Sequence, residues 1–274
     1  MSCFVAGTFA KVPVMGNKIR LTDNWEFLRQ DVGNIWELVR PIKKGQPEEQ
    51  PIWTKVTLPH CFNAEDAVDP DLNYYQGPGW YKTRLKLDNP YPDGRMVLEF
   101  EGAGQKTDVY VYMTKVGSHV GGYDSWNVDI TDAVRAFLAS KDAERFGGEI
   151  PLSIRCDNTR DAEMIPSDLS DFNLYGGIYR YLNLVYLPEV SVASLRIEPA
   201  LDAKLKKGKL KVSGTFYNPA DVREALVEVT VKNAKGEVVS TRTLDKITPL
   251  GDLDMLDIPV SYTHLRAHET GRNL

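Results

Sequence analysis

The apolar and polar residues of this chain form mainly short alternating stretches, and helical periodicity is nearly absent. In residues 80–87 (WYKTRLKL), three basic side chains alternate with apolar or uncharged ones. A period of two with one charged face predicts a half-buried β-strand. Similar patterns predict further strands at residues 96–100, 107–113, 126–130, 150–156 and 178–187.

One short helix interrupts this series. Thr131 or Asp132 is suited to cap it, and the apolar residues through Leu138 supply its buried face. Many short strands with turn signals and a single minor helix predict an all-β fold. We therefore expect an N-terminal extension over residues 1–18 and a jelly-roll β-sandwich over residues 19–187.

A second alternating series follows Pro188 and Glu189, with strands predicted at residues 191–197, 210–217, 226–231 and 238–244. This pattern is typical of an immunoglobulin-like sandwich, which normally needs about 100 residues and seven strands. Only about four or five strands fit before the chain ends. We therefore expect an incomplete immunoglobulin-like β-sandwich over residues 188–259.

Length and charge restrict the function classes. The chain has 274 residues, with 33 Lys and Arg against 38 Asp and Glu, which gives a formal net charge of −5. This length allows one large domain or two medium ones. A mildly acidic balance argues against binding to nucleic acid or to an anionic membrane. No run of about 18 apolar residues is present, so no transmembrane span is expected.

The sequence offers no convincing metal or cofactor site. Three scattered cysteines are too few for a disulfide framework or a cysteine-based zinc site. Cys61 is poorly placed for activation by His60, because neighbours in an extended segment point to opposite faces. The acidic loop at residues 65–71 lacks EF-hand spacing and is predicted to be solvated. We expect no cofactor and no metal in this chain.

Six groups of motifs occur in order over about 160 residues. They are DNWEF at 23–27, WTKVTLPHCFN at 53–63, YQGPGWY at 75–81, FEG at 100–102, VYVY at 109–112 with VGSHVGGY at 116–123 and VDITD at 128–132, and DFNLYGGIYR at 171–180. Each motif alone is weak evidence, whereas the ordered set is specific. The set closely resembles the N-terminal sugar-binding domain of glycoside hydrolase family 2, the β-galactosidase/β-glucuronidase family. The later segment is similar, more weakly, to that family's immunoglobulin-like domain.

The resemblance implies that the chain is the N-terminal fragment of a retaining β-glycosidase. In that family a (β/α)₈ barrel follows the two sandwiches and supplies two glutamates, an acid/base and a nucleophile, about 5–5.5 Å apart. We expect the chain to end before such a barrel and to be inactive alone, with no catalytic residue of its own. Overall resemblance favours a β-galactoside substrate over a β-glucuronide or a β-mannoside.

The resemblance also implies two substrate-binding side chains, Asp171 and Asn63. Asp171 precedes the GGIYR segment and Asn63 follows the LPH segment, where the family holds the sugar at the cleaved bond. A carboxylate and an amide can both form hydrogen bonds with sugar hydroxyls. The alternative is that Asn63 is a turn residue and Asp171 a loop cap.

Other residues of the motifs are expected to have structural roles. Arg180 is predicted to form an ion pair within the last strand of the first sandwich. His119 is predicted to make a hydrogen bond in a bulge or turn. Tyr74 and Tyr75 are expected to anchor their loop, with a place at the edge of a sugar pocket as the alternative.

Residues 260–274 differ in pattern from the rest. They contain His264 and His268, whose spacing would allow metal binding from one helix face. A stronger explanation is that VSYTHLRAHET is the translation of an adapter used in transposase-prepared sequencing libraries. We therefore expect the natural chain to be cut near Ile258, the remaining residues to be a read-through artefact, and the underlying DNA to contain the adapter string.

Two other functions fit the same pattern: a stand-alone carbohydrate-binding module, and a structural or adhesion β-sandwich without a ligand. A genomic continuation that encodes a barrel would favour the enzyme, and an in-frame natural stop would favour the module. The expected partner is a carbohydrate. The sequence leaves open whether the parent enzyme forms a homo-oligomer. It also leaves open the bacterial periplasm or cytoplasm, although residues 1–16 lack the basic start of a signal peptide.

Overall fold

A computed structural model describes residues 4–7, 10–13, 17–40, 52–66, 68–69, 71, 73–166, 172–201, 207–249 and 252–261. The chain divides into two compact units. The larger unit contains residues 17–90 and 95–186. The smaller unit contains residues 91–94, the chain from residue 187 onward and the strands before residue 17.

The larger unit is built from short strands and little helix. Its strands are β3 (Asn17–Arg20), β4 (Trp25–Leu28), β5 (Thr54–Val56), β6 (His60–Cys61), β7 (Pro78–Leu85), β8 (Arg95–Phe100), β9 (Lys106–Val111), β10 (Thr114–Val120), β11 (Trp126–Asp129), β12 (Ile150–Asp157), β13 (Gly177–Ile178) and β14 (Leu182–Leu187). Its helices are α1 (Trp36–Val39), α2 (Thr131–Leu138) and a 3₁₀ helix, Lys141–Phe146. The strands of the smaller unit are β1 (Phe4–Gly7), β2 (Ala10–Pro13), β15 (Ser191–Leu201), β16 (Lys207–Tyr217), β17 (Ala225–Lys232), β18 (Val238–Ile247) and β19 (Asp252–Ser261).

The larger unit is an all-β sandwich, as its alternating sequence predicts. One sheet has the strand order β10-β9-β12-β7-β4-β5 and the other the order β11-β8-β14-β3. Along β7, Tyr81 and Leu85 are buried as the period of two requires. Trp80 follows the opposite phase of the alternation and is only 3% exposed. Its indole N–H donates to Asp31 Oδ1 at 3.1 Å, and its ring lies 5.7 Å from the Tyr110 ring.

Helix α2 begins at Thr131 and ends at Leu138, as predicted, but the predicted cap is wrong. The backbone N–H of Thr131 donates to Asp129 Oδ1 at 2.8 Å. The Thr131 hydroxyl instead accepts a hydrogen bond from the N–H of Met96, and Asp132 pairs with Arg95. The carboxylate that accepts a hydrogen bond from the first turn of the helix is therefore Asp129, one residue before the N-cap Ile130.

The single strand predicted over residues 178–187 is divided in the structure. Residues 177–178 pair with β6, whereas β14 begins at Leu182 and pairs with β3. Gly177 has a φ of +112°, a conformation that favours glycine. The chain thus changes from one sheet to another within a stretch, IYRYLNLVYL, whose composition still favours a strand. The short β6–β13 sheet that results carries the candidate site.

The smaller unit contains one sheet of order β15-β16-β19 and a β17–β18 pair, besides the β1–β2 pair. Its buried core consists of Leu210, Val212, Val227, Val229, Val231 and Ile258. Strand β19 was not predicted, and it crosses residue 259, where the predicted second sandwich ends. It pairs with β16 as far as Ser261 opposite Lys207. Residues 262–274, including His264 and His268, lie outside the described residues.

The described residues include no helix that is both long enough and apolar enough to span a membrane.

Candidate functional site

The candidate site lies around the short sheet in which His60 and Cys61 of β6 pair with Ile178 and Gly177 of β13. Three loops meet there: residues 57–66, residues 73–77 and residues 172–176. Buried asparagine side chains connect them. Their hydrogen bonds satisfy backbone N–H and C=O groups of the loops that are buried away from water.

Asn63 is the centre of this network and is 1% exposed. Its Nδ2 donates to the Leu174 carbonyl at 2.8 Å and to Asn173 Oδ1 at 3.2 Å. Its Oδ1 accepts from the Gly176 N–H at 2.8 Å and from the Cys61 thiol at 3.3 Å. Both hydrogens of the Asn63 amide nitrogen are therefore used to hold residues 173–174, and its oxygen helps to hold Gly176.

Asn158 forms a second connection that the sequence did not reveal. Its side chain is fully buried, and its Nδ2 donates to the carbonyls of Tyr75 and Leu174, both at 2.8 Å. Its Oδ1 accepts from the Gly77 N–H at 3.0 Å. The one available signal was a polar residue directly after the buried strand β12, which is weak evidence by itself. Asn158 thus ties the loop at 73–77 to the loop at 172–176.

The glycines at 176 and 177 are required by close packing. A Cβ on Gly176 would lie 2.1 Å from Cζ of Phe62 and 2.9 Å from Cβ of Asn158. A Cβ on Gly177 would lie 2.4 Å from the Tyr81 hydroxyl and 2.6 Å from the His60 carbonyl. Only a residue without a side chain lets this segment approach β6 so closely.

The acidic loop after residue 64 is not fully solvated, contrary to the prediction. Asp66 is 5% exposed, and its Oδ2 accepts from the Tyr75 N–H at 2.7 Å. The Tyr75 hydroxyl donates to the Pro78 carbonyl at 2.7 Å, and Arg29 lies over the Tyr75 ring. Tyr75 therefore anchors its loop, as expected, whereas Tyr74 is 44% exposed.

Asp171 lies outside the described residues, so its sugar-binding role stays a prediction. The described loop resumes at Phe172, which is 51% exposed, and continues into the buried Asn173. Of the two predicted binding residues, the structure therefore places only Asn63, and it places Asn63 inside the loop packing.

The His60 and Cys61 side chains contact different residues. His60 Nδ1 lies 2.8 Å from the Tyr81 hydroxyl, and burial lowers the pKa of the imidazole. Burial raises the pKa of the Cys61 thiol, whose hydrogen bond goes to Asn63. A raised thiol pKa disfavours the thiolate that nucleophilic chemistry needs. Among the described residues, no group of three or more His, Cys, Asp or Glu side chains could hold a metal ion.

A turn at residues 121–125 borders the site beside Tyr179 and Arg180. Arg180 lies between β13 and β14, and its guanidinium donates to the carbonyls of Glu101 at 3.5 Å and Tyr123 at 3.4 Å. The prediction that Arg180 lies within a strand is therefore wrong, and the hydrogen-bond partners that the structure describes for its guanidinium are backbone carbonyls. The turn hydrogen bond predicted for His119 is present, since its Nε2 lies 3.0 Å from Asp124 Oδ1.

The chain is similar in sequence and in fold to known proteins. The sequence model described as "Glycosyl hydrolases family 2, sugar binding domain" matches residues 39–188, more than half of the chain. The crystal structure of a Parabacteroides merdae β-glucuronidase is 66% identical over 92% of this chain and 32% of its own, with a TM-score of 0.84. Bacteroides uniformis β-glucuronidase 3 is 54% identical over 90% of this chain and 31% of its own, with a TM-score of 0.79.

A curated β-galactosidase of Thermoanaerobacter pseudethanolicus is 24% identical over an aligned length of 239 positions, and the alignment covers 81% of this chain and 30% of that protein. The chain therefore spans about a third of the length of these three relatives.

Proposed function

Because the chain belongs to glycosyl hydrolase family 2, we propose that it forms the sugar-binding N-terminal part of a retaining β-glycosidase and does not hydrolyse sugars alone. The chain covers only about a third of the relatives whose names state an activity. In this proposal the two catalytic glutamates belong to a barrel outside the chain.

The observation that carries the proposal is the fixed loop at residues 172–176. Asn63 and Asn158 both donate to the Leu174 carbonyl, and the Gly176 N–H donates to Asn63 Oδ1, so these bonds hold the loop in place. A site that binds a sugar at a cleaved bond needs its contacts held in place before the substrate arrives. We propose that Asp171, which precedes this loop, binds a sugar hydroxyl. Asn63 contributes by positioning the loop, since its amide is already bonded to protein groups.

The sugar class is best supported as a β-glucuronide. The two solved structures at 66% and 54% identity are named β-glucuronidases, whereas the β-galactosidase is 24% identical. A β-galactoside, which overall resemblance of the sequence favours, remains the second candidate. It rests on the similarity to the β-galactosidase, which covers 81% of this chain at 24% identity.

The test compares this chain with the protein encoded by the longer reading frame in the source genome. The chain alone should hydrolyse neither p-nitrophenyl β-D-glucuronide nor the β-D-galactoside. The longer protein should prefer the glucuronide by about tenfold or more in kcat/KM. Hydrolysis of either substrate by the chain alone would overturn the proposal that the catalytic groups lie outside this chain. Preference for the galactoside would establish the second candidate. A natural stop without a barrel would favour a stand-alone module.

The role of Asp171 is tested in the same longer protein. Asp171→Asn should lower kcat/KM by about 100-fold, or about 2.7 kcal/mol, because a charged hydrogen bond to a sugar hydroxyl is lost. Asp142→Asn is the matched control, since Asp142 is a partly exposed carboxylate that pairs with Arg145 within the 3₁₀ helix. An Asp171→Asn protein with unchanged kcat/KM would assign Asp171 to the alternative role of a loop cap.

A further inference from the structure

Three aromatic rings are stacked where the two sheets of the larger unit meet. The His119 ring on β10 lies 4.8 Å from the Trp126 ring on β11, with 12° between their planes. Trp126 in turn lies 4.1 Å from Phe100 on β8, with 2° between the planes. The buried Trp126 Nε1 has no hydrogen-bond acceptor among the described residues. Stacking on both sides therefore determines the position of this indole.

The exposed end of the stack is bonded to a turn. His119 Nε2 lies 3.0 Å from Asp124 Oδ1, and this hydrogen bond lowers the pKa of the Asp124 carboxyl. The turn starts at Gly121, whose φ is +128° and whose N–H donates to the Gln105 carbonyl at 2.9 Å. Asp124 is therefore a carboxylate at neutral pH, directed at the edge of the imidazole.

The other side of this turn contacts the segment that leads out of the candidate site. The Tyr179 hydroxyl donates to the Gly122 carbonyl, and the Tyr123 ring lies 6.4 Å from the Tyr179 ring. Arg180 donates to the Tyr123 carbonyl at 3.4 Å. The turn at 121–125 is thus held between His119 and residues 179–180.

We propose that His119 and Asp124 form a pH-sensitive clamp, in which protonation of His119 tightens the turn at 121–125 against Tyr179 and Arg180. A neutral imidazole offers Asp124 one hydrogen bond. The imidazolium adds charge attraction to Asp124 and a cation–π interaction with Trp126. Because both side chains of the pair are partly exposed, the ratio of closed to open turn should rise only about two- to fivefold on protonation.

The other charges near His119 are already paired. Across the strand pair, His119 lies opposite the uncharged Thr107 of β9. The surrounding charged side chains form their own ion pairs, Lys106 with Asp161, Asp108 with Lys115, and Asp129 with Arg95. Asp124 is therefore the carboxylate that responds to the charge on His119. Arg180 is directed at backbone carbonyls on the far side of the turn.

The test is amide hydrogen exchange of residues 121–125 in the full chain at about pH 5 and about pH 8, the range in which histidine titrates. After correction for the intrinsic pH dependence of exchange, protection should be about two- to fivefold higher at the lower pH. H119Q and D124N should each abolish this difference. H60Q removes the other histidine of the described chain and should leave the difference unchanged.

Tryptophan fluorescence supplies a second measurement. An imidazolium quenches a stacked indole more strongly than a neutral imidazole, so emission should fall on acidification in the original chain and in H60Q. The part of this decrease in emission that comes from Trp126 should be absent in H119Q and in W126F. Equal protection of the turn at both pH values in the original chain would overturn the proposal. A pH effect that persists unchanged in both H119Q and D124N would also overturn it.

Discussion

At the scale of single residues, three buried asparagines determine the shape of the candidate site. Asn63, Asn158 and Asn173 connect loops that are far apart in sequence, and each is less than a tenth exposed. Removal of a buried amide side chain leaves its partner groups without hydrogen bonds. The free-energy cost of those unsatisfied groups exceeds the net contribution of the hydrogen bonds to stability. These side chains are therefore expected to be sensitive to small changes.

Asn158→Ala should lower the free energy of unfolding of the larger unit by about 2–4 kcal/mol. It leaves the Gly77 N–H and the carbonyls of Tyr75 and Leu174 without their partner. Urea unfolding followed by tryptophan fluorescence measures the change. The control is Asn127→Ala, since Asn127 is exposed on β11 and its loss should change the free energy by less than about 0.5 kcal/mol. Equal effects of the two variants would contradict the importance of the buried network.

Cys156 supplies a prediction about alkaline pH. Burial raises the pKa of its thiol from 9.0 to about 12. Above about pH 9 the unfolded chain therefore loses this proton while the folded chain keeps it, so stability falls as pH rises. The contribution is complete below the unfolded pKa and is lost toward the folded one. Between about pH 9 and about pH 11, Cys156→Ala should lose less stability per pH unit than the original chain, by up to about 1.4 kcal/mol. Urea unfolding at each pH measures the two free energies. An equal loss of unfolding free energy per pH unit in both proteins would refute this prediction.

At the scale of elements, local sequence predicts strands well where one face is buried. Strands β7, β8, β11 and β12 lie within about two residues of their predicted bounds, because alternation reflects burial directly. The predicted strand at 107–113 runs too long, since the chain turns at Tyr112, whose φ is +52°. The sequence does not predict β3 to β6, which have only two to four residues each, too few to show alternation. It also does not predict β10 or the division between β13 and β14.

Strand β19 was also missed, and it supplies a buried side chain. Ile258 is fully buried opposite Leu210 in the core of the smaller unit. Ile258→Ala should destabilise that unit by about 2–4 kcal/mol, because it removes three carbon atoms from a closed cluster. Amide exchange of β16 and β17 measures the loss. Val238→Ala is the matched control, since Val238 is 60% exposed on β18. If both variants exchange alike, Ile258 does not belong to the core in solution.

At the scale of the whole molecule, the two units differ in the size of their cores. The smaller unit has a buried cluster of six residues, and β17 pairs with β18 alone among the described strands. The larger unit has two sheets of six and four strands that enclose many more buried side chains. Unpaired strand edges and small cores open more easily.

Limited proteolysis should therefore cut residues 188–259 before the larger unit, with an initial rate about tenfold higher or more. Mass spectrometry of the first fragments identifies the cleavage sites. Equal resistance of the two units would mean that the smaller one is a stable sandwich by itself. In that case its core must gain stability from groups outside the described residues.

The sequence by itself determined the all-β class, about half of the described strands and the family, because burial periodicity and ordered motifs are local properties of the chain. It also located the loops of the candidate site. Only the tertiary structure decided how those loops are held. Asn63 bonds residues about 110 positions away and Asn158 bonds residues about 80 positions away, so no local pattern reports their partners. Asp66 and Arg180 differ from expectation for the same reason. Their surroundings are formed by segments that meet only when the chain has folded.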